Sequence, residues 1–417
     1  MKKLLDEMRD ELRPDSQPAE LKGFLSKLDA RLKKLKVKAK AVAGGSIAKG
    51  TFLKNDYDID IFVMFDSKHK DKDLSDLLEK ALKPFKPIRL HGSRDYFHIK
   101  GKTSYEIVPV LKITKPEQAE NITDCSPLHV KWVKKHLTPR LADDIRLAKR
   151  FCKAQLCYGA ESYISGFSGH VIDILIIHYK GFIPLLRAAS RWSKQEVIDP
   201  ERAHKGRALF NLNKSKLGPL VVIDPLQPER NAAAALSEEK FNRFRQAAAA
   251  FLKRPDRHHF LPQEMMIKKT PTTIIFNAKP DSDKHDVAGA QLRTAFNHLI
   301  SESGRLGFII KQSIWSWDKK SSSFILEFKQ QKLSDGLIIK GPKARLKYHG
   351  ARFRKAHKSV FEKNGSLYAK EKREVRTIHQ LENHLSKFGL NKVKIKKDPR
   401  KSLCVKDLVH SHIFKYY

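Results

Sequence analysis

The chain has 417 residues, 41% of them hydrophobic and 31% charged, which excludes an intrinsically disordered chain and predicts two or three folded domains. Lys and Arg number 83 against 46 acidic residues, a formal net charge of +37, so we expect a polyanionic partner, either a nucleic acid or a membrane surface. Because the sequence has no apolar run of about eighteen residues and its N-terminus alternates charges, we expect no membrane segment and no signal peptide, and nucleic acid is favoured over a merely solvated basic surface.

The first 117 residues alternate helical and extended patterns. Apolar residues at helical spacing predict amphipathic helices over 18–35 and 74–83. Short apolar runs predict strands over 37–43, 58–65, 87–92, 95–101 and 104–113. This order predicts an α/β domain, residues 1–117, in which helices flank a mixed sheet.

Two aspartates, Asp58 and Asp60, lie in the predicted strand 58–65. Side chains alternate along a strand, so both carboxylates point to one face while Ile59 points to the other. Two carboxylates this close repel, and a hard divalent cation such as Mg²⁺ removes that repulsion. The alternative interpretation is an ordinary solvent-exposed face of an edge strand.

A glycine-rich turn, Gly44-Gly45-Ser46, precedes the aspartates. Glycines let the backbone approach a phosphate closely, and the turn also offers N–H groups and a hydroxyl. Together with the aspartates it could hold a nucleoside triphosphate and its Mg²⁺, although the turn by itself could be a plain tight turn. Glu106, the one acidic residue of an otherwise apolar strand, is the candidate third carboxylate, unless it is a lone exposed glutamate.

Helical periodicity dominates from residue 118 to 262, which we take as a second, mainly helical domain. Helices are predicted over 129–137, 141–155, 168–190 and 231–253. The letters LSEE inside the last of these resemble a capping box. Prolines and histidines cluster over 253–263 and mark a domain boundary.

The predicted third domain, 263–417, mixes strands with a long helix and ends in a basic tail. Strands are predicted over 272–278, 307–313, 322–329 and 336–341, and a helix over 287–304. Residues 331–417 hold 23 Lys and Arg against 7 acidic residues, a concentration typical of a nucleic-acid-binding region. The aromatic candidates for stacking on bases, which could equally be core or ordinary surface residues, are Trp315, Trp317, Tyr348 and Phe353.

The four cysteines are sparse and lack CxxC spacing: Cys125, Cys152, Cys157 and Cys404. They are too few for a disulfide framework. The sequence therefore predicts a cytoplasmic protein with reduced thiols and no structural zinc.

These motifs, taken in order, resemble a known family. Gly45-Ser46, Gly50-Thr51, Asp58-x-Asp60 and the later acidic strand ending in Val-Pro resemble the polymerase-β-like nucleotidyltransferase superfamily. Further along, SPLHVKWV, YGAE, GFSG and DPLQPERNAAA are similar to the archaeal-type (class I) CCA-adding enzymes, which are tRNA nucleotidyltransferases. The resemblance covers at least residues 40–250.

The resemblance implies roles for particular residues. Asp58, Asp60 and Glu106 would hold two Mg²⁺ ions as the catalytic carboxylates, with Glu106 standing where the family generally has Asp. The residues implied in nucleotide binding are Gly45, Ser46, Lys49, His129, Lys149, Tyr158 and Arg230. Lys49 stands where the family usually has Arg, and a lysine keeps the charge but loses the bidentate fork. Arg230 would read the base of CTP or ATP through acceptors on its Watson–Crick edge.

The resemblance also implies the reaction and the partners. The enzyme would add and repair the 3′-terminal CCA of tRNA from CTP and ATP without a nucleic-acid template and release pyrophosphate. The basic C-terminal region would bind the acceptor stem and T-arm by shape, and the family implies a homodimer.

Other interpretations stay open from the residues alone. Lys149 could be a surface lysine, Tyr158 a half-buried core tyrosine, Arg230 a partner in a local salt bridge and Asn231 a helix N-cap. A poly(A) polymerase-like or oligoadenylate-synthetase-like enzyme, or a catalytically inactive RNA-binding homologue, would carry many of the same motifs. A small-molecule nucleotidyltransferase is disfavoured by the length and by the charge of +37.

Overall fold

The computed structural model describes residues 1–101, 103–387, 392–406 and 408–413. The chain divides into two compact units, Met1–Pro262 and Gln263–Tyr417, and the division lies in the stretch where prolines and histidines cluster. Within the described residues, helices long and apolar enough to cross a bilayer are absent.

A five-stranded mixed sheet forms the first part of unit 1. Its strands are β1 (Ala39–Ala43), β2 (Ile59–Phe65), β3 (Ile88–Leu90), β4 (Tyr96–Ile99) and β5 (Tyr105–Leu111), in the order β1-β2-β5-β4-β3. β2 and β5 are parallel, whereas the other neighbours are antiparallel. The helices of this part are α1 (Lys2–Leu12), α2 (Ala19–Lys34), α3 (Gly45–Lys49) and α4 (Leu74–Leu82). The predicted α/β fold with a mixed sheet is confirmed.

The alternation of β2 explains how the sheet packs. Ile59, Ile61 and Phe65 are fully buried and share one hydrophobic core with Leu28 of α2 and Leu78 of α4. Asp60, between two buried isoleucines, points to the opposite face of the sheet. The apolar positions of β2 therefore fix the sheet on the helices and leave the acidic position free for the site.

Helix α1 was not predicted, and it packs away from this core. Leu5, Met8 and Leu12 are buried in the second hydrophobic core of unit 1, which is built mainly from helices. Arg9 of α1 donates to Asp144 Oδ1 at 2.7 Å, and both side chains are buried. The first helix therefore belongs by its packing to the helical part of the unit.

The helical part of unit 1 surrounds a small two-stranded parallel sheet. Its elements are α5 (Ser126–His136), α6 (Pro139–Ala154), α7 (Gly169–Tyr179), α8 (Phe182–Ala189), β6 (Glu196–Ile198), α9 (Ala208–Asn211), β7 (Leu220–Val222) and α10 (Glu238–Lys253). The core holds a group of fully buried phenylalanines: Phe151, Phe182, Phe244, Phe251 and Phe260.

Two of the predicted helices differ from those observed. The stretch 168–190 is two helices, because Lys180 and Gly181 have φ of 59° and 139° and end α7. A Cβ on Gly181 would lie 2.9 Å from Asp144 Oδ2, and the N–H of Phe182 donates to that same oxygen at 2.9 Å. The break between α7 and α8 is therefore fixed by the contact of Gly181 and Phe182 with Asp144 of α6.

The predicted helix 231–253 is wrong in its first seven residues. The helix begins at Glu238, where Ser237 Oγ accepts a hydrogen bond from the N–H of Lys240 at 3.3 Å. Asn231 is not a helix N-cap; it is buried, and its side-chain oxygen accepts from the N–H groups of Val222 and Ala233, both at 2.9 Å. The capping motif marked the true start, whereas the alanine run before it forms turns.

Unit 2 is α+β. Its elements are β8 (Met265–Lys268), β9 (Thr273–Pro280), α11 (His285–Arg305), β10 (Ile310–Trp317), β11 (Ser322–Phe328), β12 (Gly336–Lys343), α12 (Lys347–Ala356), β13 (Val360–Lys363), β14 (Ser366–Lys372), α13 (Ile378–Lys387), β15 (Val393–Lys397), β16 (Ser402–Val405) and β17 (Leu408–Ile413). A five-stranded sheet has the order β15-β9-β11-β10-β17, a three-stranded sheet the order β12-β14-β13, and β16 pairs with β8.

The four aromatic candidates of unit 2 have different environments. Trp315 and Trp317 are buried, and Trp315 Nε1 donates to Ser322 Oγ at 3.1 Å. Of the two interpretations, the structure confirms the core one for both tryptophans and contradicts stacking on bases. Tyr348, on the basic helix α12, is 71% exposed, while Phe353 is half-buried.

Candidate active site

A pocket of about 400 Å³ opens in unit 1 beside the acidic end of β2. Seven of the residues singled out by sequence line it: Gly45, Ser46, Lys49, Asp58, Asp60, Lys149 and Tyr158. They come from the α3 turn, from β2 and the segment before it, from α6, and from the segment after α6. The fold thus gathers residues up to about a hundred positions apart around one cavity.

The three candidate carboxylates lie at one end of the sheet. Asp60 on β2 is in register with Glu106 on the parallel strand β5, and Asp58 directly precedes β2. Residues in register on neighbouring strands share a face, so Asp60 and Glu106 are side by side. On the far side of Glu106, His98 of β4 is also in register, with Nε2 3.2 Å from Glu106 Oε2.

The charge on Asp60 is poorly compensated within the protein. Burial raises the pKa of Asp60 to about 7, Glu106 and Asp58 add to the rise, and Lys49 and Lys149 offset only part of it. Oxygen ligands that repel one another are the donor set of a hard divalent cation. The residues present therefore fit a magnesium-type ion.

The glycine turn lies directly against Asp60. Gly45 has a φ of +48°, and a Cβ at this position would lie 1.6 Å from Asp60 Oδ2. The N–H of Gly44 donates to the carbonyl oxygen of Asp60 at 2.8 Å. Glycine is required at position 45, because any side chain would take the place of the carboxylate.

Two lysines on the pocket share one buried aspartate. Lys49 Nζ lies 2.5 Å from Asp173 Oδ2, and Lys149 Nζ lies 4.0 Å from Asp173 Oδ1. Lys149 also donates to the carbonyl and hydroxyl oxygens of Thr51, at 3.0 and 3.2 Å. Burial lowers the pKa of Lys149 to about 8, with Asp173 opposing that fall. Burial disfavours the ionised form of Asp173, yet the two lysines outweigh it and lower its pKa.

Tyr158 approaches the same place from the segment after α6. A Cβ on Gly169, the first residue of α7, would lie 3.2 Å from the Tyr158 hydroxyl and 3.8 Å from Lys149 Cε. Burial raises the pKa of Tyr158, so the phenol stays protonated. Lys153 Nζ lies 5.3 Å from the centre of its ring. A phenol and an ammonium thus converge beside the N-terminus of α7.

His129 and Arg230 meet at a second buried aspartate, Asp224, which follows β7. His129 Nε2 lies 2.8 and 3.0 Å from the two carboxylate oxygens, and Arg230 donates to Oδ2 at 2.8 Å. His170 of α7 is 3.7 Å from the same oxygen and also lines the pocket. Burial opposes ionisation of Asp224, but the hydrogen bond to His129, with His170 close by, outweighs burial and lowers its pKa.

His129, His170 and Asp224 also lie within 4.8 Å of one another, near enough to hold a metal ion. The Arg230 guanidinium, however, already supplies a positive charge to the carboxylate, so we interpret the group as a clamp that positions Arg230 and His129. Arg230 remains 39% exposed at its side chain and is therefore accessible to a ligand.

The sequence reasoning missed Asp173, His170 and Asp224. Asp173 is the only acidic residue of the apolar helix α7, and Asp224 directly follows a buried apolar strand and Ile223. In both cases a lone acidic residue in an apolar setting was the available signal, as it was for Glu106. Because a buried carboxylate needs a cation as partner, these positions pointed to lysine, arginine or histidine elsewhere in the chain.

Three family models match successive parts of the chain. Residues 25–129 match a nucleotidyltransferase domain, residues 143–261 match the second domain of tRNA nucleotidyltransferase, and residues 268–397 match the C-terminal domain of the CCA-adding enzyme.

Individual relatives carry the same description. A CCA-adding enzyme of Thermococcus gammatolerans is 31% identical over 82% of this chain and 80% of its own length. A CCA-adding enzyme of Methanocaldococcus jannaschii is 31% identical over 85% of this chain and 82% of its own length. One of Nanoarchaeum equitans is 45% identical over 48% of this chain and 51% of its own length, so that alignment spans about half of either protein.

Proposed function

The chain belongs to the family of CCA-adding enzymes, and we propose that its pocket transfers nucleotides from CTP and ATP to the 3′ end of tRNA. The 3′-hydroxyl oxygen of the RNA attacks the α-phosphorus, a new phosphodiester bond forms, and the bond to the departing pyrophosphate breaks. The observation that carries this proposal is the register of Asp60 with Glu106, which sets two neighbouring carboxylates beside a pocket with two lysines. Such chemistry depends on positioning and electrostatic stabilisation rather than on a covalent enzyme intermediate.

Asp58, Asp60 and Glu106 would hold the metal. A pair of Mg²⁺ ions at these oxygens would lower the pKa of the attacking hydroxyl and neutralise the leaving pyrophosphate. Gly45 leaves room for the Asp60 carboxylate, since a Cβ at this position would lie 1.6 Å from Asp60 Oδ2. His98 contacts Glu106 and orients its longer side chain where the family generally has Asp.

Lys49, Lys149, Tyr158 and Ser46 would hold the triphosphate. Lys149 is 4% exposed and already held by Thr51 and Asp173, so binding a phosphate costs it little side-chain entropy. Lys49 approaches from the opposite side of Asp173. The negative charge of a triphosphate favours the protonated form of Lys149, which raises its lowered pKa on binding.

Arg230 would read the incoming base, with His129 beside it. The Asp224 clamp fixes one edge of the guanidinium and leaves other N–H groups for acceptors on C or A. Basic unit 2 would bind the acceptor stem and T-arm; there the exposed Tyr348 lies 5.9 Å from the Arg352 guanidinium on α12. The homodimer stays a prediction, which size-exclusion chromatography with light scattering tests.

The test is incorporation of labelled CTP and ATP into tRNA that ends at the discriminator base. We expect two C residues and then one A, with no further addition. Repeated addition of A without C would instead identify a poly(A) polymerase-like enzyme. Binding of tRNA with no incorporation of either nucleotide would identify an inactive RNA-binding homologue.

A further inference from the structure

The loop that joins β6 to β7 carries an unusual surface. Phe210, in the short helix α9, is 89% exposed, the highest value among the large hydrophobic side chains that the structure describes. We call residues 199–219 the basic loop.

The loop is held in a defined shape, so the exposure of Phe210 is a product of its packing. Ala208 and Leu212, two positions on either side of Phe210, are buried against Val221 and Ile223. With its neighbours turned inward, Phe210 is turned towards solvent.

The loop that carries this phenylalanine is also rich in positive charge. Five Lys and Arg side chains of the loop are exposed, and none of them forms an ion pair within the part of the chain that the structure describes: Arg202, Lys205, Arg207, Lys214 and Lys216. The two acidic residues of the loop accept hydrogen bonds from N–H groups instead. Asp199 accepts from the N–H groups of Ala203 and His204, at 3.0 and 2.8 Å, and Glu201 accepts from Trp132 Nε1 at 2.8 Å.

The basic loop is tied to the segment that carries Arg230. His204 Nε2 donates to the carbonyl oxygen of Pro228 at 2.6 Å, and Asn231 Nδ2 donates to the carbonyl oxygen of Lys216 at 2.9 Å. Asn211 lies 3.0 Å from the other ring nitrogen of His204 and fixes the proton on Nε2. Both hydrogen bonds to the segment flank Arg230, so the loop and the base-reading arginine are positioned together.

We propose that the basic loop is a binding site for the single-stranded 3′ end of the RNA substrate, with one unpaired base stacked on Phe210. An exposed aromatic ring among unpaired cations is the combination by which proteins bind single-stranded nucleic acid, since every base offers a face and every nucleotide a phosphate. Paired stem bases are already stacked, which restricts the ring to the unpaired end. The inference rests on the proposed function, because that function brings an RNA 3′ end next to Arg230.

Two variants of Phe210 distinguish stacking by its aromatic ring from contact by a large apolar side chain. We expect Phe210→Leu to raise KM for tRNA on the order of tenfold while KM for CTP stays unchanged, and Phe210→Tyr, which keeps the ring, to match the wild type. Ile88→Ala, at an exposed apolar residue of edge strand β3 (44% exposed), is the control and should change neither KM. An unchanged KM for tRNA in Phe210→Leu, in an enzyme that incorporates CTP and ATP, overturns the inference.

Salt dependence tests the cations. The variant with both Lys214→Gln and Lys216→Gln should bind tRNA with a slope of log Kd against log salt reduced by about 0.7 for each phosphate that these lysines neutralise in the wild type. A slope equal to that of the wild type would show that these lysines bind no phosphate and would contradict their part in the site.

A cross-linking experiment works even without catalysis and so distinguishes failure of this inference from failure of the proposed function. The unmodified protein is irradiated with tRNA that carries 4-thiouridine at the discriminator position, digested with trypsin and analysed by mass spectrometry. We expect the RNA adduct on the tryptic peptide 208–214, which contains Phe210. Adducts found only on other peptides contradict the inference, whatever the incorporation assay shows.

Discussion

The carboxylates of unit 1 fall into two groups with opposite electrostatics. The carboxylate row, Asp58, Asp60 and Glu106, concentrates negative charge, and burial with mutual repulsion raises the pKa of Asp60 to about 7. The ion-paired aspartates, Asp173 and Asp224, have side chains that are almost fully buried, yet each has a lowered pKa, because two lysines face Asp173 and the neighbouring histidines stabilise the carboxylate of Asp224.

This difference in pKa separates carboxylates that position other side chains from carboxylates that need a bound cation. Where an aspartate only holds other side chains, the fold supplies its partners: Lys49 and Lys149 at Asp173, and His129 and Arg230 at Asp224. Where the protein leaves carboxylates short of positive charge, the charge has to come from solution. Removing a charge from the carboxylate row should therefore stabilise the metal-free fold, whereas removing the charge of an ion-paired aspartate should destabilise it.

The largest effect on activity is expected at the row. Asp60→Asn keeps the shape of the side chain but removes its charge, so incorporation of CTP should fall on the order of a thousandfold or more while tRNA affinity stays nearly intact. Single-turnover assays and filter binding measure the two. Near-normal turnover in Asp60→Asn would contradict the proposal that Asp60 binds the metal.

The same variant should be more stable than the wild type when metal is removed by EDTA. The folded-state pKa of Asp60 is about 7, above the ordinary value near 4 of an unfolded aspartate. The ionised form is therefore disfavoured by folding, and the cost is complete above pH 7 and fades as the pH falls towards 4. The gain in Tm of Asp60→Asn should be largest at pH 8 and shrink at pH 5; an equal gain at both pH values contradicts this account.

The next largest effect is on stability, at the ion-paired group. Asp173→Asn leaves Lys49 and Lys149 without their anion in a buried site, which should cost about 3–5 kcal/mol and lower Tm on the order of 10 °C. Thermal and urea melts measure it. Asp15→Asn, at an exposed pair with Lys54, is the matched control and should cost no more than about 1 kcal/mol. Equal losses in the two variants would remove the distinction between the groups.

A smaller effect is expected on specificity. Arg230→Gln should lower the preference for CTP over UTP on the order of tenfold, the usual value of a lost hydrogen bond to a base, measured as the ratio of kcat/KM values. Arg140→Gln, at a 60% exposed side chain paired with Asp6, should leave the ratio unchanged. A preserved ratio in Arg230→Gln would show that another group reads the base.

The smallest effect is expected at Glu106. Glu106→Asp restores the family's usual residue but withdraws the carboxylate from His98, 3.2 Å away. Activity should stay within about tenfold of the wild type, ~1.4 kcal/mol, or improve. A loss of a hundredfold or more in steady-state incorporation would show that the backbone of β5 has adapted to the longer side chain.

The carboxylate row was visible in the sequence because it depends on local pattern. Strand alternation put Asp58 and Asp60 on one face, and Glu106 was conspicuous in an apolar strand. The row also required β2 and β5 to be adjacent, which the structure shows. Local signals likewise gave the five strands of the first sheet and the long helices α6 and α11, whereas the short strands β6, β7 and β8 and the elements after β12 were not predicted.

The ion-paired aspartates were missed because their partners are distant in sequence. Lys49 and Asp173 are 124 residues apart, and His129 and Asp224 are 95 apart, so no periodicity connects them. Local propensity also misled at 231–236, where the high helix propensity of alanine suggested a helix. There Asn231 instead binds the backbone around β7, a tertiary contact that overrides propensity.

The most direct test of the comparison is metal binding measured without catalysis. Electron paramagnetic resonance follows the signal of free Mn²⁺ as protein is added in the absence of nucleotide. We predict that the wild type and Arg230→Gln, which keeps the carboxylate row, both deplete the free Mn²⁺ signal, and that Asp60→Asn does not. Equal depletion by Asp60→Asn and the wild type, or no depletion by any of the three, would contradict the claim that the row is left uncompensated for a divalent cation.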